Sequence, residues 1–211
     1  MADTIIGVDF SINSPGICIK EDGVYKYFGL IRKDYKLSKA NKAIVERFNT
    51  TEENITTIWL ENHPTSSVYY EREILNLKDA IYETQTIINL IFNNINLKNR
   101  IYIAIEGLSF GSQGNRLSEI SGYQFILRSE IYKLLQEFYI FSPMSVKKVA
   151  GKGNLKKEGI LKAFLEANAT QNQTDIFISL MKKETLIHPF EDMIDSFWIV
   201  KALEKNILNK Q

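Results

Sequence analysis

The sequence predicts a layered α/β fold, with a central mixed five-stranded sheet flanked by helices, on three observations. The predicted elements run β-β-β-α-β-α-β-α, opening as a meander and continuing with strands separated by helices. Two of the strands, 4–9 and 101–106, are apolar on both faces, as central strands covered by helices are. Between them, residues 67–95 repeat apolar side chains at helical period.

The meander comprises strands 4–9, 15–20 and 24–31, with Asn13-Ser14-Pro15-Gly16 and Glu21-Asp22-Gly23 as turn signals between them. Residues 33–67 are polar; within them "TTIWLENH" suits either a short strand or an element covering the sheet edge. The helix over 67–95 carries Ile74, Leu77, Ile81, Thr84, Ile88 and Ile91 at helical spacing. "RIYIAIEG" supplies strand 101–106, and right-handed crossover places it beside strand 4–9 and parallel to it. A helix over 118–138, a short strand at 139–141, and helices over 155–168 and 191–208 complete the chain. This order is similar to that of the ribonuclease H-like layered fold.

With 211 residues, 45% of them hydrophobic, the chain is expected to be one domain, 1–211, with a sizeable core. Its longest mostly apolar stretches, such as "AIYETQTIINLIFNNI", are interrupted by Glu, Gln and Asn too often to span a membrane. "MADTIIGVDF" lacks the basic and apolar regions of a signal peptide, so a mature cytoplasmic protein is expected. Cys18 is the single cysteine, which excludes an internal disulfide.

Net charge is +1, but its distribution is uneven. Lys147, Lys148, Lys152, Lys156, Lys157 and Lys162 fall in one segment with a single acid, Glu158. Glu184, Glu191, Asp192 and Asp195 fall in another without a lysine. Such segments suit phosphates at one place and metal ions at another, or are two ordinary solvated faces.

Three acidic positions carry the chemistry. Strand 4–9 ends in Asp9 and strand 101–106 ends in Glu106, so parallel neighbours bring two carboxylates to one sheet edge, where α/β folds hold ligands. Asp192 and Asp195 are three apart and share a helix face that continues through Trp198, Ile199 and Ala202. Taken singly, Asp9 equally suits a turn, Glu106 a strand end, and Glu191 with Asp192 a helix N-terminus. Together they form a like-charged cluster that must protonate or take up a cation. An all-oxygen donor set suits Mg²⁺, and two such ions serve phosphodiester hydrolysis. No Cys/His zinc spacing is present, and His63 and His188 are expected in surface or loop positions, with approach of His188, just before Pro189, to the acidic helix as the alternative.

With these residues in place, the chain resembles the RuvC-like Holliday junction resolvases, most closely their bacteriophage-encoded branch. "IIGVDFSINSPGICI" is similar to the family's opening strand with its catalytic aspartate, and "IAIEGLSFGSQGN" to the phage branch's glutamate followed by an aromatic and a Gly-rich turn. "FSPMSVKKVAGKGNLKKEGI" is similar to that branch's Pro, Lys-Lys and Gly-Lys-Gly-Asn run, and "EDMIDSFWIVKAL" to the terminal Asp-x-x-Asp helix. The blocks occur in the family's order over residues 4–203. The chain departs from the pattern at Pro15, where relatives more often have Thr, and in the length of 33–67.

The resemblance implies that Asp9, Glu106, Asp192 and Asp195 are catalytic and hold two Mg²⁺ ions, with Mn²⁺ able to substitute. It implies a homodimer acting on branched DNA, four-way junctions above all and also forks and flaps, in the host cytoplasm if the chain is phage-encoded. Lys147, Lys148, Lys152, Asn154, Lys156 and Lys157 are then expected to hold DNA phosphates. Phe110, Gln113 and Asn115, in the loop after Glu106, are expected to meet the junction; Phe110 equally suits core packing. The helix over 118–138, with Ile120, Tyr123, Ile126, Leu127, Ile131 and Leu134, is the expected dimer face, some of it buried on its own sheet. An RNA–DNA hybrid ribonuclease of the same fold, and a non-catalytic DNA- or nucleotide-binding module, are the alternatives.

Overall fold

The computed structural model of the protein describes residues 2–49, 54–108, 115–135, 138–168, 173–181 and 186–209. Strands β1 (Asp3–Asp9), β2 (Gly16–Glu21) and β3 (Val24–Arg32) form the antiparallel meander. Asp22 and Gly23 both take positive φ between β2 and β3, the two-residue turn that an Asp-Gly pair favours. Helix α1 (Lys39–Arg47) leads to β4 (Ile55–Leu60), and α2 (Tyr69–Asn93) to β5 (Arg100–Glu106). After these come α3 (Asn115–Leu135), β6 (Tyr139–Phe141), α4 (Pro143–Ala150), α5 (Lys157–Ala167), α6 (Gln173–Ser179) and α7 (Phe190–Leu208).

The sheet has six strands in the order β4-β3-β2-β1-β5-β6, one more than the five expected from sequence. The extra strand is β4, from "ITTIWL", which pairs in parallel with β3 and turns Ile55, Thr57 and Leu60 inward. The short strand that "TTIWLENH" allowed is thus the one formed, at the sheet edge. Helix α4 is likewise legible mainly from its cap: the Ser142 hydroxyl accepts from the Ser145 N–H at 3.2 Å, with Pro143 at the first helical position.

Helices cover both faces. On one, α2 and α3 bury Ala80, Ile87, Ile91, Tyr123, Leu127 and Ile131 against Ile6, Val8, Ile17, Ile19, Phe28 and Leu30. On the other, α4 to α7 pack Val146, Phe164, Phe177, Met193 and Phe197 against Cys18, Tyr27, Ile31 and Ala104. The wholly apolar alternation of β1 thus feeds two cores, which explains why neither of its faces is polar.

Two glycines set the approach of α7. A Cβ on Gly7 would meet the Ser196 carbonyl oxygen at 2.3 Å, and one on Gly16 would meet that of Asp192 at 2.1 Å. Only bare backbone at these points lets the helix lie directly on β1 and β2. Its first two turns are thereby held over the end of β1.

Helix α2 buries its expected stripe only over its second half, where Thr84 and Ile91 turn inward. Ala80, Thr84, Ile87 and Ile91 are buried, whereas Ile74, Leu77 and Ile81 are exposed. The expected stripe drifts off the sheet toward the N-terminal end. On α3, Tyr123, Leu127 and Ile131 are buried and Leu134 is exposed.

Candidate active site

β1 and β5 pair in parallel up to Val8 opposite Ile105, so the next residues, Asp9 and Glu106, stand side by side at the sheet edge. α7 brings Asp192 and Asp195 over the same edge. Asp192 is 7% exposed, and the other three acids are half-buried. The four lie within one another's fields. Burial first, and then Asp195, Glu106, Asp192 and Glu191, push Asp9 well above the usual carboxylate range. Burial with Asp192, Glu106 and Glu191 raises Asp195 to about 7, Lys157 opposing. Burial raises Glu106 to about 7, with Lys147 opposing.

This donor set fits a hard divalent cation. It is all carboxylate oxygen, it is partly dehydrated, and its mutual repulsion is what a cation would relieve. Among the described residues, no group of three or more Asp, Glu, His or Cys side chains could hold a metal ion as placed. The acids converge as a like-charged cluster rather than as a finished coordination shell.

His188 lies in the turn before α7, as a loop position would have it, and from there it abuts this cluster. Its Nδ1 lies 2.6 Å from Asp192 Oδ2 and 3.4 Å from Ser14 Oγ. The Asp192 hydrogen bond raises the imidazolium above its ordinary value against the effect of burial. Burial raises Asp192, and the His188 and Ser14 contacts oppose that rise. Glu191, also absent from the expected site residues, pairs with Lys157 and stands 3.9 Å from His188 Nε2. The His188-to-Asp192 spacing of four could have revealed the first contact, since such residues meet on adjoining turns.

The basic segment divides in two. Lys147 on α4 acts on Glu106, and Lys157 at the start of α5 acts on Asp195. Both line a cavity of about 130 Å³ with Leu155, Leu186, Glu191 and Asp195. Lys148, Lys152, Asn154 and Lys156 are exposed. Phe110 and Gln113 lie outside the described residues, and Asn115 is the first residue of α3.

Sequence reading also missed the support of the loop after Asp9. Arg32 is fully buried and donates from Nε to the Ile12 carbonyl at 2.9 Å. Its other nitrogens reach Asp79 at 2.9 and 2.8 Å and Glu83 at 2.5 Å. The Tyr123 hydroxyl donates to Asp79 at 2.8 Å, and His63 Nδ1 lies 3.4 Å from the same carboxylate. Burial raises Glu83 to about 8 despite Arg32. This network ties β3, α2 and α3 to the loop that carries Ser14.

No protein-family model matches the sequence, and no curated protein is detectably similar to it. Among solved structures, the fold is similar to that of Thermus thermophilus RuvC, with a TM-score of 0.51 at 13% identity, covering 100% of this chain and 97% of that one. It is also similar to T. thermophilus RuvC in complex with Holliday junction substrate, with a TM-score of 0.52 at 11% identity, covering 98% and 95%. The chain therefore has the layered ribonuclease H-like fold of RuvC. No helix among the described residues is long and apolar enough to cross a membrane.

Proposed function

We propose that the chain is a divalent-metal-dependent, structure-selective endonuclease that resolves four-way DNA junctions and other branched DNA by paired phosphodiester hydrolysis in the cytoplasm. The observation that carries this reading is the half-buried acid cluster at the ends of β1 and β5, bordered by lysines of α4 and α5. Support also comes from the fold shared with a protein solved on Holliday junction substrate.

Asp9, Glu106, Asp192 and Asp195 would hold Mg²⁺, or Mn²⁺ in its place, supplying an activated water and stabilisation of the leaving oxygen. Lys147 and Lys157, at the rim, attract the scissile phosphate and offset the negative field that would otherwise repel DNA. Lys148, Lys152, Lys156 and Asn154 extend that positive edge along a duplex arm as sequence-independent phosphate contacts. Their grip weakens with added salt.

Paired cutting calls for a two-fold homodimer. Its expected face on α3 is largely internal, since Tyr123, Leu127 and Ile131 are buried. We assign the face instead mainly to α2, where Tyr69, Tyr70, Ile74, Leu77, Ile81 and Tyr82 are exposed, with Phe125 and Tyr132 of α3. Eight such side chains expose several hundred Å², on the scale of an interaction surface.

The test is incubation of the wild type and Asp9→Asn with a labelled four-way junction, with and without Mg²⁺. Wild type should cut only with Mg²⁺, and Asp9→Asn should bind without cutting. Preferential cleavage of RNA–DNA hybrids would identify a ribonuclease instead. Junction binding with no Mg²⁺-dependent cleavage would reduce the protein to a binding module.

A further inference from the structure

Asp192 is the most buried acid of the cluster, and its place near Asp9 and Asp195 is opposed by their negative charge. Three contacts hold it there against that repulsion. Two anchors act on the backbone: the contact of α7 with Gly16, and Pro189 seated on β3, where a Cβ on Gly29 would meet the proline ring at 2.7 Å. The carboxylate itself is held by His188 Nδ1 at 2.6 Å.

His188 is in turn fixed from other elements. Its ring meets Tyr35 edge-on, with centroids 5.6 Å apart. Ser14 Oγ lies 3.4 Å from Nδ1, and the Ser14 N–H donates to Ser11 Oγ at 3.0 Å. Ser11 and Ser14 belong to the loop that begins directly after Asp9. A chain of polar contacts therefore runs from the loop of one acid to the side chain of another, 183 residues further along the sequence.

We infer that His188 is a positioning residue: packed edge-on against Tyr35, and with Ser14 beside it also bonding Asp192, it fixes the Asp192 carboxylate and so sets the spacing of the Asp9–Asp192 pair for a divalent cation. This inference rests on the metal-dependent nuclease proposed above. With Nδ1–H donating to Oδ2, rotation of the carboxylate is blocked and Oδ1 is left for the cation. Partners of this kind around metal-binding groups typically change metal affinity 10- to 100-fold. The role needs the Nδ1 donor and no proton exchange. An asparagine, whose amide nitrogen occupies nearly the position of Nδ1, should largely replace it, whereas alanine should not.

The experiment is a titration of the DNA-free protein with Mn²⁺ alone, following the loss of the free-ion electron paramagnetic resonance signal. Wild type, His188→Ala, His188→Asn and Ser14→Ala are compared, with thermal midpoints recorded in parallel. His188→Ala should weaken Mn²⁺ binding at least about tenfold. His188→Asn should stay within about threefold of wild type, and Ser14→Ala should fall between them. Unchanged Mn²⁺ affinity in His188→Ala would overturn the inference while leaving the nuclease proposal standing. So would equal loss in the Ala and Asn variants, which would mean that the ring only fills space. Absence of Mn²⁺ binding by the wild type would remove the nuclease proposal and this inference together.

Discussion

Burial raises both Asp195 and Glu106 to about 7, and for Asp195 the charges of Asp192, Glu106 and Glu191 add to that rise. A carboxyl whose folded value is raised binds more protons folded than unfolded. Between about pH 4 and 7 it therefore lowers stability as pH rises. Asp195→Asn removes that effect and should raise the melting temperature of the metal-free protein at pH 8, by about 2–4 °C per kcal/mol relieved. The gain should shrink at pH 5, where Asp195 is already protonated. Calorimetry of both proteins at the two pH values checks this; an equal gain at both would show that the carboxylate carries no repulsion. Asp9 and Glu106 were legible as acids ending apolar strands, and Asp192 and Asp195 as a pair on one helix face. The approach of His188 to the acidic helix was legible from its place before Pro189, but its contact with Ser14 was not, because that depends on a loop from the other end of the chain. Arg32 was hidden for a similar reason: its partners Asp79 and Glu83 lie 47 and 51 residues away.

At the scale of elements, the approach of α7 to the sheet is the decisive packing event. Gly16→Ala would set a methyl group 2.1 Å from the Asp192 carbonyl oxygen, with the Met193 nitrogen at 2.8 Å. Neither backbone atom can rotate away, so the helix must shift. The expected loss is about 1–3 kcal/mol in urea unfolding, together with junction cleavage falling more than junction binding. Wild-type stability and cleavage in this variant would show that α7 does not depend on the glycine. The Arg32 network gives a companion case. Arg32→Met leaves Asp79 and Glu83 buried without their cation, and the expected loss is about 3–5 kcal/mol. The strand order of the meander and of β1 beside β5 followed from periodicity and crossover handedness. The pairing of β4 with β3 and the inward face of the first half of α2 did not, since both depend on phase against the sheet rather than on composition.

For the whole molecule, the two helical layers divide the work proposed for them. The layer of α4 to α7 carries the lysines and two of the acids, while the outer face of α2 and α3 is free of the core and rich in exposed apolar groups. Leu77→Glu places a charge in that surface and should convert a dimer to a monomer in light scattering, with the melting temperature little changed. Junctions should then be nicked singly rather than cut in pairs. A wild-type protein that is already monomeric at micromolar concentration would contradict the assignment of this face. The central claim is that Asp9, Glu106, Asp192 and Asp195 together receive divalent cations, and the most direct test is an anomalous-scattering map from crystals soaked in Mn²⁺. The account predicts density for one or two ions among these four carboxylates, lost in Asp9→Asn. Fully soaked crystals with no such density, or with Mn²⁺ bound only elsewhere, would contradict it.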